Sequence, residues 1–585
     1  MAEYLAPGVY VEEFDSGSKA MEGVSTSTAG FIGHTRRGPV QGKPIFITGI
    51  AQYHQIFGRH LNAEHPSRFL SYGVEQFFAN GGSSCYVMRV APSQDEAAAI
   101  SIGENTFLSI QAKSVGDWAN ECHYGLKVER TSKTNILEKP KEGSQIYPVK
   151  STAGFEEGDY VEMVSMIEET SHDEDGNEKI IQKPQVMLNR IVALREKEME
   201  FEKPMQEPYA DDSLLPKHLL YRLGMHFQIT CDDINEVYHV SLNPHASDFI
   251  LKAVNKSILV SVDMHYEQEC VDTYEAWIKE VGLDVEISGY LQGGKSVMVD
   301  DASLYLGEDN GPGKRSGLQA FKEVDDVSIM AIPGVCYPEV QTSLVAHCES
   351  MANRFAILDM PLETVTVDDM ETHRSYFDSS YAAIYHPWLS CYDMVKKCNS
   401  YFPPSASMAG IYARVDMVRG VHKAPANETV RNCVGLSVNY NDVEQGKANP
   451  KGINLIRSLP GQGIRVWGAR TLSSDASWKY VNVRRLFIYL EESIRANTNW
   501  AVFEPNDANL WMRVEGSIRM FLNTLWRNGA LVGASEDEAF FVNIGPSTMT
   551  QDDILNGRLI CIIGAAPVRP AEFVIFRITQ KMQEA

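Results

Sequence analysis

A glycine-rich stretch, Gly307 to Arg315, has the residue types in this sequence that come nearest to a phosphate-binding loop. Such loops hold a nucleotide with backbone N–H groups and a lysine, and a Ser or Thr hydroxyl holds magnesium. Here the spacing is one residue too long, and Arg315 stands where the Ser or Thr should be. The pattern therefore indicates an ordinary glycine-rich loop, and we expect no nucleotide or other cofactor.

The acidic segment from Ser171 to Glu178 resembles a calcium loop only in composition. An EF-hand loop needs glycine at its sixth position, and here the glycine is fourth. A solvated hairpin tip is the simpler interpretation. The ten cysteines are scattered without C-x-x-C spacing, which favours free buried thiols over disulfides or zinc. We therefore expect no metal site.

Two further positions suggest catalysis but do not support it. Asp359 ends a predicted strand, where α/β enzymes place reactive groups. His347 and Cys348 are neighbours within a predicted helix, so their side chains point in different directions. Neither a G-x-S-x-G nor an H-E-x-x-H motif occurs. The sequence predicts no catalytic residue and no enzyme.

The elements around Asp359 follow an α/β rhythm. A strand at Val327–Ile332, a helix with an apolar face and a strand at Phe355–Asp359 predict a parallel crossover. Strands and a helix between residues 22 and 95 predict a similar first layer. Residues 96–300 instead show hairpin signals and few long amphipathic patterns, which is typical of an inserted β-rich region.

Near the C-terminus, apolar side chains recur with helical spacing from Asp507 to Asn528. At about 100° per residue, Arg513, Arg519 and Arg527 fall on the opposite face, with Glu515 nearer its boundary. The spacing predicts an outward face that is entirely basic. This face is either solvated or docks on an acidic partner, and both interpretations stay open on pattern alone.

Both ends of the chain carry short strand patterns. Val9, Tyr10, Val11 and Glu12 follow Pro7-Gly8, and Phe573, Val574, Ile575 and Phe576 belong to a predicted strand at Glu572–Ile578. A strand with apolar side chains on both faces is usually covered by other elements on both sides, and a lone strand needs a second strand as its hydrogen-bonding partner. Each pairs either within its own chain or with the sheet of another copy.

Composition narrows the function further. A chain of 585 residues should hold several domains, and its net charge of −24 argues against nucleic acid as a partner. No apolar run is long enough for a membrane span, so no direct membrane insertion is expected. The first residues lack the features of a secretory signal, which favours synthesis in the cytoplasm.

Several motifs, in one order along the chain, resemble the contractile tail sheath family of phages, tailocins and extracellular injection systems. They are GFIGHTRRGP, YGVEQFFANGGSSCYVMRV, Gly116-Asp117-Trp118-Ala119-Asn120, Pro403-Pro404-Ser405, Ala409-Gly410, Asp416, Arg419-Gly420-Val421, Lys423-Ala424-Pro425-Ala426-Asn427, Gly452-Ile453-Asn454, Trp467-Gly468-Ala469-Arg470-Thr471-Leu472 and Pro567-x-x-Pro570-Ala571-Glu572-Phe573. The resemblance covers about 1–95 and 315–585 and fades over 130–300.

The resemblance implies an α+β and α/β multidomain fold. Residues 1–20 would be an N-terminal arm that joins a neighbouring subunit's sheet. Residues 21–95 plus 315–480 would form a middle α/β layer, and 96–314 an inserted, outward-facing β-rich domain. Residues 481–585 would form an inner, tube-facing C-terminal domain that ends in an arm strand.

The same resemblance implies a structural role. Sheath subunits stack as hexameric rings around an inner tube, store energy in an extended state and contract to drive the tube through an envelope. The expected partners are further copies of the chain, the tube protein, and baseplate and terminal cap proteins. The expected location is a phage tail or a released extracellular particle. The alternatives are a coat that does not contract and a type VI secretion-like sheath component, although type VI systems divide the sheath between two proteins.

Overall fold

The computed structural model describes residues 21–573 and residue 575, apart from 104–107, 138–142, 173–177, 205–218 and 265–270. The predicted strand around Val9–Glu12 therefore lies outside the described residues, as do Val574 and Phe576. The first described elements are β1 (Ala29–His34), β2 (Ile45–Ile47), α1 (Ile50–Phe57), α2 (Phe69–Asn80) and β3 (Cys85–Val90).

The next part of the chain is dominated by strands, as the sequence predicts. It comprises β4 (Ala99–Ile102), β5 (Leu108–Ala112), β6 (His123–Asn135), β7 (Ile146–Pro148), β8 (Tyr160–His172), β9 (Glu178–Arg195), β10 (Glu198–Phe201), β11 (Leu219–Cys231), β12 (Ile234–Ser241), α3 (Ile250–Val254), β13 (Val260–Met264), α4 (Val271–Val281) and β14 (Glu286–Tyr290).

The α/β rhythm then resumes. The elements are α5 (Ala302–Leu306), β15 (Ile329–Ala331), α6 (Pro338–Met351), β16 (Phe355–Asp359), α7 (Val367–Arg374), β17 (Ala382–His386), β18 (Leu389–Asp393), β19 (Cys398–Phe402), α8 (Ser405–Arg419), β20 (Gly435–Leu436), α9 (Asp442–Ala448), β21 (Ile453–Leu459) and β22 (Gly463–Val466).

The last described elements form the C-terminal unit, by which we mean residues 481–565. They are α10 (Val481–Asn497), α11 (Ala508–Arg527), α12 (Glu536–Ala539), β23 (Phe540–Ile544), α13 (Gln551–Leu555) and β24 (Cys561–Ala565). The apolar run around Arg558–Ile563 also predicts a strand, and the structure has β24 there, beginning at Cys561. Among the described residues of the predicted strand at Glu572–Ile578, neither Glu572, Phe573 nor Ile575 lies in a strand.

A central sheet joins the two α/β stretches. Its strand order is β2-β3-β1-β15-β16-β17-β21-β22. The interior pairs from β3 to β21 are parallel, and β2 and β22 pair antiparallel at the edges. The crossover predicted between β15 and β16 is confirmed, with Ile329 opposite Phe355. The inserted region is thus flanked by strands that belong to one sheet.

Side chains of the central sheet alternate between two cores because successive residues of a strand face opposite sides. Phe355 and Ile357 pack with residues of α2 and α8, whereas Ala356 and Leu358 pack with residues of α6. Helices α2 and α8 approach closely at Gly410, where a Cβ would lie 2.4 Å from the Phe77 carbonyl oxygen. Glycine is required there because no side chain would fit.

The inserted region, residues 96–300, has a core of its own. Its larger sheet has the order β14-β6-β11-β8-β9-β10-β7, with β12 pairing to β11, and its smaller sheet has the order β13-β5-β4. The chain enters and leaves this region at one place, because Glu96 and Lys295 form an antiparallel bridge. The Glu96 N–H donates to the Lys295 carbonyl oxygen at 3.0 Å.

The C-terminal unit is built on α10 and α11, which share an apolar core with β23. Leu486 and Leu490 of α10 pack in this core with Leu510, Ile518 and Leu522 of α11. The apolar stripe predicted for residues 507–528 is confirmed as the buried face of α11. The Asp507 carboxylate caps the start of α11 by accepting from the Leu510 N–H at 2.9 Å.

Candidate assembly surfaces

Asp359, the carboxylate at the end of β16, has a structural position. It accepts hydrogen bonds from the Ser405 hydroxyl at 2.6 Å, the Ser405 N–H at 2.8 Å and the Gly334 N–H at 3.0 Å. The carboxylate is fully buried, and burial raises its pKa to about 6. These contacts fix the start of α8 against the sheet and leave Asp359 no exposed face toward a substrate.

His347 and Cys348 are also buried structural residues, and both lie on α6. His347 lies 3.2 Å from a guanidinium nitrogen of Arg354, which is fully buried and donates to the carbonyl oxygens of Phe321 and Val324. Burial lowers the pKa of His347 to about 3 and raises that of Cys348 to about 12. Neither group is poised to exchange a proton with the other near neutral pH.

The Gly307–Arg315 loop is tied together by its own carboxylates. The Arg315 guanidinium lies 2.6 Å from Asp309 and 3.1 Å from Glu323, and the Gly313 N–H donates to Glu323 at 2.8 Å. Within the described ranges, no group of three or more His, Cys, Asp or Glu side chains could hold a metal ion. No helix in that part of the chain is both long and apolar enough to cross a membrane.

The outward face of α11 carries the three predicted arginines, but it is not purely basic. Arg519 lies 2.6 Å from Glu536 and 3.5 Å from Glu515. Arg513 lies 3.8 Å from Glu504, with its guanidinium 4.6 Å from the centre of the Trp500 ring. The prediction of an entirely basic face is therefore wrong, because Glu504 approaches from the loop before α11 and Glu536 from the short helix α12.

Arg527 differs from the other two arginines. It is exposed near the C-terminal end of α11 and lines an open groove with Arg519, Met520 and Asn523. Among the residues that the structure describes, no carboxylate forms an ion pair with it. Met512 and Met520 are 64% and 51% exposed on the same helix. The outward face thus combines one free cation with apolar side chains.

The segment that follows the predicted N-terminal arm is anchored along α10. Asn497 exchanges two hydrogen bonds with the main chain of Glu22, at 2.8 and 3.3 Å. The Val24 N–H donates to the Ser493 hydroxyl at 3.2 Å. A Cβ at Gly23 would lie 1.8 Å from the Tyr489 hydroxyl oxygen, so the segment lies close against the helix. The start of the described N-terminal segment therefore lies against the C-terminal end of α10.

One ion pair joins α10 to α8 and also holds this N-terminal segment. Arg485 of α10 makes a bidentate contact to Asp416, at 2.6 and 2.9 Å, and donates to the Thr26 carbonyl oxygen at 2.9 Å. The Thr26 hydroxyl donates to the same carboxylate at 2.7 Å. The side chains of Arg485 and Asp416 are 4% and 3% exposed, so the pair is fully enclosed.

The C-terminal segment is held by Glu572. Its carboxylate accepts from Arg470 at 2.6 and 2.8 Å, from the Asn449 amide at 2.6 Å and from the Tyr480 hydroxyl at 3.2 Å. Burial opposes the charge, but the hydrogen bonds from Arg470 and Asn449 lower the pKa of Glu572 below its ordinary value. Beyond this anchor, Phe573 is 72% exposed.

The last two described strands form a hairpin with apolar side chains on its outer face. Strands β23 and β24 pair only with each other among the described residues. Phe541 of β23 is 47% exposed, and Ile562 of β24 is 48% exposed. A two-stranded sheet is marginally stable by itself, and its open edges are templates for further strands. This hairpin is the candidate acceptor for arm strands.

Comparison with known proteins assigns the family. Residues 308–472 match the model of the phage tail sheath protein central domain, and residues 473–581 match that of the phage tail sheath C-terminal domain. The chain belongs to the contractile tail sheath family. Its relatives are structural proteins of phage tails and not enzymes.

Three relatives show how far the similarity extends. A protein of Pseudomonas aeruginosa (strain UCBPP-PA14), described as a prophage major tail sheath protein, is 26% identical over 47% of this chain and 72% of its own length. The tail sheath protein of Burkholderia phage BcepMu is 27% identical over 44% of this chain and 57% of its own length. The tail sheath protein of Escherichia phage P2 is 24% identical over 41% of this chain and 62% of its own length. The chain therefore spans less than two thirds of both phage proteins.

Solved structures agree on the fold. The sheath complex of an extracellular contractile injection system named PVC, in its contracted state, is 22% identical, with a TM-score of 0.52 over 99% of both chains. The sheath tail protein of Listeria innocua is 10% identical, with a TM-score of 0.51 over 94% of this chain and 96% of the other. The similarity of fold thus includes the inserted region, although the two family models begin only at residue 308.

Three site residues were not identified as such from the sequence. Arg470 and Glu572 belong to motifs that carried the family resemblance, yet nothing in the sequence indicated that they pair. Asp416 was likewise part of a motif without a partner. A useful signal was present in each case, because a charged residue within an otherwise apolar or proline-rich motif needs a partner when it is buried.

Proposed function

We propose that this chain is the subunit of a contractile sheath that stacks as hexameric rings around an inner tube and shortens to drive the tube through a target envelope. Family membership supports the sheath role. In this proposal the C-terminal unit is innermost, the central sheet forms a middle layer and residues 96–314 face outward. Baseplate and terminal cap proteins contact the two ends of the sleeve.

The observation that carries the proposal is the open β23–β24 hairpin beside two anchored terminal segments. Each segment is fixed, at Glu22–Asn497 and at Glu572, before it continues beyond the described residues. Main-chain hydrogen bonds to a neighbour's hairpin would each contribute about 0.5–1.5 kcal/mol net. We propose that the strands around Val9–Glu12 and Phe573–Phe576 join such shared sheets and that these links persist through contraction.

The outward face of α11 is the proposed tube contact. Arg513, Arg519 and Arg527 would pair with acidic groups of the tube, and each exposed pair contributes only about 0.2–1 kcal/mol. Repetition around each ring makes the sum large, while each contact stays weak enough to break during contraction. Arg527 should contribute most, since Arg519 and Arg513 already have partners in their own chain.

Negative-stain microscopy of the purified protein with its tube tests the main proposal. We expect hollow sleeves in two lengths, extended and contracted. Sleeves of a single length that never shorten would favour a coat that does not contract, and monomers alone would contradict polymerisation. Shortening should proceed with a chelator present and without nucleotide, because the Gly307–Arg315 loop is closed by its own carboxylates.

Deletion of residues 1–14 tests the arm strands separately. The truncated chain should stay a folded monomer and lose polymerisation, because the anchor at Glu22 and the C-terminal unit remain intact. The matched variant Arg527→Glu should instead polymerise through its arms but fail to assemble on the tube. Normal sheath from the truncated chain would contradict the arm model without affecting the tube contact.

A further inference from the structure

Cys122 and Cys231 face each other in the inserted region. Strands β6 and β11 are antiparallel, with Ile229 opposite Tyr124 and Thr230 opposite His123. Extending this register by one residue places Cys231 opposite Cys122, which directly precedes β6. The two residues are 1% and 0% exposed, and both belong to the core of the inserted region. Directly opposed residues of antiparallel strands project from the same face of the sheet.

The main-chain geometry at this pair suits a cross-strand disulfide. The Cys122 N–H donates to the Ala119 carbonyl oxygen at 3.0 Å, and the Cys122 carbonyl oxygen accepts from the Leu291 N–H at 3.2 Å. These groups are therefore used away from Cys231, as in a non-hydrogen-bonded pair, whose Cα atoms lie about 4.5 Å apart. Disulfides bridge Cα separations of about 4.4–6.8 Å.

The contact with Cys122 has the largest influence on the reactivity of Cys231. A hydrogen bond from Cys122 lowers the pKa of Cys231, and Arg37 and Arg36 add to this, whereas burial and Asp232 act in the opposite direction. The Cys231 sulfur also lies 4.0 Å from the Trp118 carbonyl oxygen. The Arg37 guanidinium is 3.5 Å from Asp232 and lies over the Trp118 ring, 5.6 Å from its centre. A neighbouring cation is the usual means by which a protein stabilises a thiolate.

The pair lies directly beneath the surface. Asp232 and Asp233, which follow Cys231 in the chain, are exposed, and so is Glu121, which precedes Cys122. A small opening of the Asp232–Asp233 turn would admit a small oxidant. Both thiols are free in the structure.

We propose that Cys122 and Cys231 are a redox-sensitive pair that hydrogen peroxide converts into a disulfide. The Cys231 thiolate attacks one peroxide oxygen, so that an S–O bond forms, the O–O bond breaks and the departing hydroxide takes a proton to become water. The Cys122 sulfur then attacks Cys231, so that the S–S bond forms and the sulfenic oxygen leaves with the Cys122 proton as a second water. Two thiols are oxidised and one peroxide is reduced.

The cross-link would stiffen the inserted region beside its junction with the central sheet. It closes a loop of about 110 residues, which restricts the unfolded chain strongly. The bridged strand ends carry Glu121 and Asp232, which pair with Arg36. Oxidation should therefore raise the unfolding temperature of the inserted region by roughly 5–10 °C. This inference goes beyond the proposed sheath function and does not depend on it.

The test treats the full-length chain with hydrogen peroxide, blocks the remaining thiols in denaturant and maps peptides by mass spectrometry without reduction. We expect a peptide pair joined through Cys122 and Cys231 and reversal by dithiothreitol. Cys398→Ser is the matched control, because it removes an exposed thiol and should leave the cross-link unchanged. In Cys122→Ser/Cys231→Ser, peroxide should no longer shift the unfolding temperature.

The wild-type peptide map decides the proposal even where the double variant folds poorly. Recovery of both residues as blocked thiols, after peroxide has oxidised Cys398, would overturn it. Conversion of Cys231 to sulfinic acid without a cross-link would overturn it as well, because the opposed thiol would then be too far away to react.

Discussion

Two junctions connect the central sheet to the rest of the chain, and water reaches them to very different degrees. At the junction with the inserted region, Arg36 pairs with Glu121 and Arg59 pairs with Asp233, and the two acidic side chains are 67% and 75% exposed. At the junction with the C-terminal unit, Arg485 and Asp416 are less than 5% exposed.

This difference in exposure indicates which parts of the chain move together. An exposed ion pair contributes about 0–1 kcal/mol, whereas breaking one side of a buried pair costs about 3–5 kcal/mol. We therefore infer that the C-terminal unit and the central sheet form one mechanical body. The inserted region is attached at Glu96–Lys295, by these exposed pairs and by Arg37, which is 4% exposed and contacts Asp232. None of the carboxylates in these pairs is as enclosed as Asp416, so we expect the inserted region to shift more easily than the C-terminal unit.

The largest expected effect is at the buried pair. Asp416→Leu leaves the Arg485 guanidinium buried without its carboxylate and should lower the free energy of unfolding by about 3–5 kcal/mol. Guanidinium denaturation followed by tryptophan fluorescence measures the loss. The double variant Asp416→Leu/Arg485→Leu should recover most of it, because no charge then stays buried alone. Equal losses in both variants would contradict the interpretation of a rigid junction.

The second effect depends on pH. Glu572→Gln removes charged hydrogen bonds that stabilise the fold by about 2 kcal/mol at pH 7. The pKa of Glu572 is lowered in the folded protein. Its contribution is therefore complete above the ordinary value of 4.5 and is lost as pH falls below it through the folded-state pKa. Denaturation curves of wild type and variant should differ at pH 7 and converge in acid. Glu504→Gln is the control, since that carboxylate is 44% exposed.

The third effect is small. Asp233→Asn removes the exposed pair with Arg59 and should change the free energy of unfolding by no more than about 0.5 kcal/mol. High salt should abolish even that difference, because exposed charges are screened. A loss of 2 kcal/mol or more would place the two junctions in the same class and remove the distinction between them.

Removal of the inserted region should have the smallest effect on the central sheet. Replacement of residues 97–294 by a short Gly-Ser turn keeps Glu96 and Lys295 as neighbours. The remaining chain should fold with its sheet intact, because the inserted region has a separate core. Circular dichroism and limited proteolysis measure this outcome. Aggregation of the shortened chain would show that the central body needs the inserted region.

Sequence reasoning worked best where the signal is local. Strand β16 and helix α11 follow from an apolar run and from helical spacing, and their predicted bounds, Phe355–Asp359 and Asp507–Asn528, agree with the structure to within a residue. The buried stripe of α11 was predicted because one face of a helix is a property of the helix alone.

The charged contacts were not predictable in the same way. Glu536 reaches Arg519 from a separate short helix, and Glu572 reaches Arg470 across about a hundred residues of sequence. Periodicity places a side chain on a face, but it says nothing about which loop covers that face. The predicted functions of Arg513, Arg519 and Arg527 and of the arm strands stay predictions, since they depend on other chains.

The position of β1 has a consequence for how the protein is made. β1 lies between β3 and β15, and about 300 residues separate it from β15 in the chain. At about 5–20 residues per second, a ribosome needs on the order of 15–60 seconds to deliver that second neighbour. During that interval an apolar strand edge is exposed while the inserted region completes its own core. Nascent chains of this protein should therefore be clients of a chaperone that shields β1 until synthesis reaches β15.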